Sequence, residues 1–200
     1  MSPSKQEQFQ ERYKAKATPW DIGRADFNLI DIVSNKPIGK GKALDVGCGF
    51  GHNSLWLAQQ GFFVTGVDVS EVALKQAEEN ASEIGASCLF LSIDFLQEDV
   101  PGLPFNFIFD RGCFHSYDSD DERKRFAERI GYHLDKSGLW LSLIGSTDEP
   151  SKGPGPPRRS ARDIVVAVEP FFEILLLTAS HFDSITQHPP KAWTCLMKKR

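Results

Sequence analysis

The residues best suited to chemistry in this chain stand at the ends of short apolar runs. Residues 43–51 read ALDVGCGFG, a β-rich run that carries Asp45 near its end and passes through Gly47, Gly49 and Gly51 into a helical pattern from about His52. Glycines at a strand-to-helix turn let the main chain approach a ligand closely, and the unpaired amides of the helix start attract a negative group. The spacing is GxGxG. A dinucleotide-binding GxGxxG would place its third glycine where this chain has His52, so a single carboxylate suits the turn better than a pyrophosphate. Taken alone, the motif is also open to a plain tight turn that packs a helix on a strand. Asp68 closes the next run, FVTGVD, where a carboxylate can take both hydroxyls of a ribose. Asp94 closes LSID, where it could accept from an exocyclic adenine amine, and Asp110 closes FNFIFD. Each acid singly reads as a helix cap. Polar groups at four successive strand ends match the place where open α/β sheets bind ligands.

A second set of candidates faces the other side of such a site. His115 and Tyr117 follow the fourth run in CFHSY, and Arg158 and Arg159 follow a Pro/Gly-rich stretch, EPSKGPGPP, that could fold over a pocket. His115 stands either as an acid–base group or as a satisfied structural histidine, and the arginines either as partners of an anionic acceptor or as a solvated loop. Cys113 and His115 have no third ligand at sensible spacing, so no metal is expected. Trp20 lies between a proline and an acid in a polar linker, and should pack on something.

These residues need a scaffold. From Lys42 onward β-rich runs alternate with helical patterns, the signature of a mainly parallel sheet covered on both faces. Strands are expected at 43–46, 63–67, 88–93, 105–109 and 139–144, several apolar throughout as doubly covered strands must be. Ser70 should cap a helix over 71–84 that Gly85 ends. A helix over about 120–134 carries acids in its first turn, with Gly138 shortly beyond it, and Ser160 with Asp163 has capping-box spacing for a helix stopped by Pro170. The last two runs, 171–178 and 192–198, are separated by a stretch too short for a helical crossover, and should form an antiparallel hairpin at a sheet edge. Ahead of the sheet, helices are expected at 4–16, with a Ser4–Glu7 capping box, and near 27–33.

The strand with its GxGxG turn, the Gly-Val-Asp68, the Ile-Asp94-Phe95 and the closing hairpin together resemble the class I S-adenosylmethionine-dependent methyltransferases over residues 42–200. Pro19-Trp-Asp-Ile-Gly-Arg24, Phe109-Asp-Arg-Gly-Cys-Phe-His115 and Gly155-Pro-Pro-Arg-Arg159 are similar to the small-molecule branch that includes thiopurine S-methyltransferase, thiol methyltransferases and heterocyclic-toxin methyltransferases. The resemblance implies an α/β fold, a doubly wound seven-stranded, mostly parallel sheet of Rossmann-like type. It implies S-adenosylmethionine as cofactor, with Gly47 and Gly49 cradling its methionine end and Asp45 tuning the loop. Asp68 would hold the ribose, Asp94 and Phe95 the adenine, Asp110 and Arg111 the floor near the methyl, and Trp20 would cap the cofactor, a sulfonium near an aromatic face gaining about 0.5 to 2 kcal/mol. His115, Tyr117 and Arg158 would stand on the acceptor side.

Composition narrows the partners. Two hundred residues with 40% apolar and 25% charged make an ordinary globular chain, and a net charge of −4 disfavours nucleic acid. No apolar run is long enough to span a membrane, no export signal is visible, and four scattered cysteines read as reduced thiols, so a cytoplasmic protein is expected, as a monomer or weak dimer. Residues 1–41 are expected to form a helical cap and lid, and 42–200 the cofactor-binding domain. A cap of that size suits an acceptor small enough to be enclosed, a thiol or a heteroaromatic sulfur, nitrogen or oxygen nucleophile methylated by in-line displacement. Two alternatives remain at this level: a nicotinamide-linked oxidoreductase, and a cofactor-binding sensor without turnover.

Overall fold

A computed structural model describes residues 5–148 and 156–200. Ser4 of the expected capping box and the 149–155 part of the expected loop lie outside the described residues. Five strands run parallel: β1 (Lys42–Val46), β2 (Phe63–Asp68), β3 (Cys88–Ser92), β4 (Phe105–Arg111) and β5 (Leu134–Gly145). Two more, β6 (Phe172–His181) and β7 (Lys191–Lys199), form the expected antiparallel hairpin, with β7 lying between β5 and β6 and antiparallel to both. The order is β3-β2-β1-β4-β5-β7-β6. The chain therefore steps outward from β1 to β3 and returns on the other side of β1 as β4, and the crevice at such a reversal opens above the carboxyl ends of β1 and β4.

Side chains alternate across the sheet as the two-residue strand period requires. Leu44, Ile108 and Trp140 point to one face, against α5 (Asp120–His133) and α6 (Ala161–Val168). Ala43, Phe107, Phe109, Leu141 and Leu143 point to the other, where Leu29 and Ile32 of α2 (Phe27–Asn35) and Leu57 of α3 (His52–Gln59) meet them. A smaller cluster joins Leu55 of α3 to Leu74, Ala77 and Ala81 of α4 (Glu71–Ile84) and to Phe90. Helix α2 thus lies in the core of the sheet, while α1 (Lys5–Lys14) rests outside it, on α4. None of the described helices is long and apolar enough to cross a membrane.

Local chemistry sets the helix ends. Ser70 accepts from the Ala73 amide and Gly85 ends α4 in the left-handed region. Ser119 with Glu122 and Ser160 with Asp163 close capping boxes at the starts of α5 and α6. One boundary differs from expectation: no glycine loop separates α5 from its strand. Leu134 is already extended and pairs with Phe105, and the register then shifts so that Phe107 pairs with Leu139. Gly138 is therefore part of an irregularity inside β5, where a Cβ would meet Leu134 Cδ2 at 2.7 Å.

Candidate active site

The glycine turn leaves β1 beneath the second strand. Gly47 and Cys48 donate their amides to the Val67 carbonyl, at 2.8 and 3.0 Å. Gly49 has φ +54°, and a Cβ there would lie 2.8 Å from the Tyr13 hydroxyl, so the turn needs both the left-handed backbone and the missing side chain. Its amide donates to Asp68 Oδ2 at 2.9 Å, while Asp68 Oδ1 accepts from the Ser70 amide at 2.9 Å. Asp45 is 1% exposed and accepts from Ser54 Oγ at 2.6 Å. Burial pushes its carboxyl up to about 7, and the charges of Asp110 and Asp68 push the same way. Burial also raises Asp68. Asp110, at the end of β4, is fully buried and raised by burial to about 6, even though it accepts from the Cys113 and Phe114 amides and from Trp140 Nε1. The fold therefore brings Asp45, Asp68, Asp110 and the glycines together.

The N-terminal segment closes over this turn. Ser70 Oγ donates to Gln10 Oε1 at 2.7 Å and Gln6 Nε2 donates to the Val69 carbonyl at 3.4 Å, which seats α1 on the β2–α4 turn. Tyr13 is buried, its ring 5.1 Å from that of Phe50 and 5.9 Å from that of Trp20. Trp20 Nε1 donates to the Tyr13 hydroxyl at 3.3 Å, and the Arg12 guanidinium stands 5.5 Å from the Trp20 ring. The half-buried Trp20 does pack, on Phe9 and Tyr13 of α1. Tyr13 was not among the expected site residues. Its signal was the four-residue spacing of Phe9 and Tyr13, which puts two aromatics on one face of α1 beside the linker tryptophan.

Arg111 holds the segment in place. Its Nε donates to Asp26 Oδ2 at 2.7 Å, Nη1 to the Trp20 carbonyl at 2.9 Å and Nη2 to the Asp183 carbonyl at 2.7 Å, and the guanidinium lies 5.1 Å from the Phe182 ring. Asp26, also missed in the sequence, is fully buried and caps α2 as well. Arg111 is thus occupied by the protein itself, as is Asp110.

The acceptor-side residues divide. His115 Nδ1 accepts from the Gly145 amide at 2.7 Å, so the proton sits on Nε2. Burial, reinforced by the charges of Arg159 and Arg111, lowers its pKa to about 3. The ring thus braces the end of β5 through the Gly145 amide. Tyr117 is half-buried, its ring 5.4 Å from that of Phe126, and burial, with Cys113 and Asp94 nearby, pushes its hydroxyl well above the ordinary range. Arg159 bridges to Ser146 and donates to the Tyr117 carbonyl at 2.7 Å and to Asp118 at 3.0 Å, leaving the half-buried Arg158 next to it. Asp94 is exposed and accepts from the Leu96 amide at 3.0 Å. The Phe95 ring is turned into the core, 5.3 Å from Phe126 and 5.1 Å from His133, so a ligand at this position meets main chain rather than the ring. Among the described residues no cluster of His, Cys, Asp or Glu could hold a metal ion.

Comparison with known proteins decides between enzyme classes. A model of the thiopurine S-methyltransferase family matches residues 4–191. The chain belongs to that family. Thiocyanate methyltransferase 1 of Brassica oleracea is 31% identical over 177 residues, covering 86% of this chain and 73% of the relative. Its counterpart in Arabidopsis thaliana is 31% identical over 182 residues, covering 88% and 74%. In fold, the chain is similar to a structure described for the conversion of a disulfide bond into a thioacetal group during echinomycin biosynthesis (TM-score 0.85, 22% identity, 98% and 92% covered). It is also similar to magnesium protoporphyrin IX methyltransferase of Synechocystis PCC 6803 with bound S-adenosylmethionine (TM-score 0.74, 15% identity, 100% and 99% covered). This member of the thiopurine S-methyltransferase family is an S-adenosylmethionine-dependent methyltransferase. The crevice fits that cofactor: a glycine turn keeps side chains away from the place of its methionine end, and three buried carboxyls suit a sulfonium.

Proposed function

We propose that the chain methylates a small nucleophile, a thiolate or thiocyanate-like anion in preference to a hydroxyl, by in-line displacement in a site that supplies no base. The observation that carries this is the state of the two groups expected on the acceptor side. His115 has its Nδ1 engaged by an amide and its pKa pushed down to about 3, and Tyr117 is held protonated by burial. A hydroxyl acceptor needs a group near neutrality to take its proton, whereas a thiol ionises in water and a thiocyanate carries no proton to lose. The curated relatives named as thiocyanate and thiol methyltransferases support the same acceptor class.

In this reading the backbone at Gly47 and Gly49, bare of side chains, cradles the methionine end, Asp68 takes the ribose and Asp94 the adenine amine, with the main chain at Phe95 beside it. Asp68 accepts one amide on each oxygen, and a carboxylate has lone pairs left for ribose hydroxyls. Trp20 and Tyr13 cover the cofactor from the side of α1, exclude water, and limit the acceptor to a small molecule. Asp110 and Arg111 act by holding the 114–116 turn and the N-terminal segment in place. Bound, the cofactor supplies an activated methyl on sulfur, and what the protein adds is alignment and desolvation, worth about 7 to 11 kcal/mol where the fit is good. A screen with labelled methyl donor against thiocyanate, alkyl and aryl thiols, phenols and N-heterocycles tests the acceptor class. Label on thiocyanate or thiols ahead of phenols is expected. Preferred labelling of phenols, or of none of these, contradicts it.

A further inference from the structure

The three carboxyls at the ends of β1, β2 and β4 have an unusual set of neighbours. Asp45 is 1%, Asp68 8% and Asp110 0% exposed, and each is held by neutral donors: the Ser54 hydroxyl, the Gly49 and Ser70 amides, and the Cys113 and Phe114 amides with the Trp140 indole. No lysine, arginine or histidine among the described residues pairs with any of them, and the guanidinium of Arg111, next in sequence to Asp110, is engaged by Asp26. The other titratable groups felt around Asp45 are Asp68 from β2, Asp110 from β4, Cys48 from the turn and Cys88 from β3, while Tyr13 of α1 senses Asp68 and Cys48. Every one is neutral or negative. Three buried like charges without a counter-cation are costly, and the arrangement becomes favourable when a cation enters. Methyl transfer itself removes such a cation, because the sulfonium donor becomes a neutral thioether while the rest of the cofactor is unchanged.

We propose that this trio, with Asp45 at its centre, distinguishes the charged methyl donor from its neutral demethylated product, Asp45 releasing a proton to solvent when the donor binds and keeping it when the product binds. The proposal rests on the cofactor site described above and adds a specificity role to Asp45. The balance is simple: one carboxyl O–H breaks, its proton goes to water, and the negative charge left behind offsets the charge of the donor. When the methyl leaves, the carboxylate recovers a proton and the product loses its electrostatic hold. Burial sets the Asp45 carboxyl near neutrality, so the exchange falls in the working range.

Calorimetric titration of the intact protein with S-adenosylmethionine and, separately, with S-adenosylhomocysteine tests this, from about pH 5.5 to about pH 8.5 in buffers of different ionisation enthalpy. Donor binding should release close to one proton at the acid end. Donor affinity should climb toward tenfold per pH unit below the bend and level off above it. Product affinity should stay level, within about twofold. Ser54→Ala removes the hydroxyl donor to the carboxylate, so it should move the bend in the donor curve to higher pH, which a purely structural serine would not do. Asp45→Asn should abolish the slope and bring donor and product affinities together. Equal proton release and equal slopes for donor and product overturn the proposal and leave the cofactor site standing, as does a slope that persists in Asp45→Asn. Absence of binding by either compound at every pH contradicts the cofactor site and the proposal with it.

Discussion

Arg111 Nε stands 2.7 Å from Asp26 Oδ2 across 85 residues of chain, joining the end of β4 to the cap of α2 where the side chains are 11% and 0% exposed. The same guanidinium carries the Trp20 carbonyl, so the segment over the glycine turn is fixed by one residue of the sheet. Breaking a buried pair from one side leaves the other charge stranded, at a cost of about 3 to 5 kcal/mol. Asp26→Ala should lower the unfolding midpoint accordingly. Arg111→Lys cannot reproduce the three-way fork, so it should raise protease cleavage near residues 15–24. Wild-type protease resistance in Arg111→Lys would contradict the role given to this pair.

Tyr13 and Trp20 should matter to the cofactor more than to the fold, because α1 rests outside the sheet. Trp20→Ala removes the indole donor to Tyr13 and an aromatic face, and should weaken cofactor binding by about 0.5 to 2 kcal/mol while changing the unfolding midpoint little. Tyr13→Ala should act in the same direction. Cofactor titration by calorimetry checks both, and unchanged affinity in the two variants would remove α1 from the site.

His115 separates a strut from a base. His115→Ala leaves the Gly145 amide without its acceptor, which costs about 1 to 3 kcal/mol of stability. The bend in the pH–rate profile with a thiol acceptor should nevertheless stay where it is. A bend that disappears with the histidine would make it the base.

Stability of the cofactor-free protein should fall as pH rises through the neutral range. Asp45 and Asp110, raised to about 7 and about 6, bind a proton more tightly folded than unfolded. Their contribution is fully present below the ordinary carboxylate range and is lost as pH climbs through those values. His115, pushed down to about 3, works in the opposite sense, because the unfolded chain gains a proton that the folded chain refuses as pH falls below about 6.5. Asp45→Asn keeps an acceptor for Ser54 and removes one carboxyl. It should flatten the decline and exceed the wild type in unfolding midpoint at about pH 8, with the two converging toward about pH 4. Thermal unfolding across that range checks this, and a variant curve parallel to the wild type would refute the carboxyl assignment.

What could be read from sequence follows from how local each cause is. Ser70, Gly85, Ser160 and Asp163 act on their own helix ends, and an apolar run marks a strand covered on both faces, so all were legible. The strand-end acids were legible as a series because a parallel sheet lines up its carboxyl ends. The direction of each side chain was not. Phe95 turns into the core because Phe126 and His133 offer a pocket there, and His115 meets an amide 30 residues away. Asp26 and Asp183 reach Arg111 through tertiary packing alone, and nothing in the spacing of either announces it.

The central claim is methyl transfer to a nucleophile that ionises without help from the enzyme. Its most direct test is the pH dependence of kcat/KM for a series of thiols of graded acidity at saturating S-adenosylmethionine. The account predicts that the inflection moves with the pKa of each thiol. An inflection that stays at one pH whatever the thiol would show a base in the protein and contradict it.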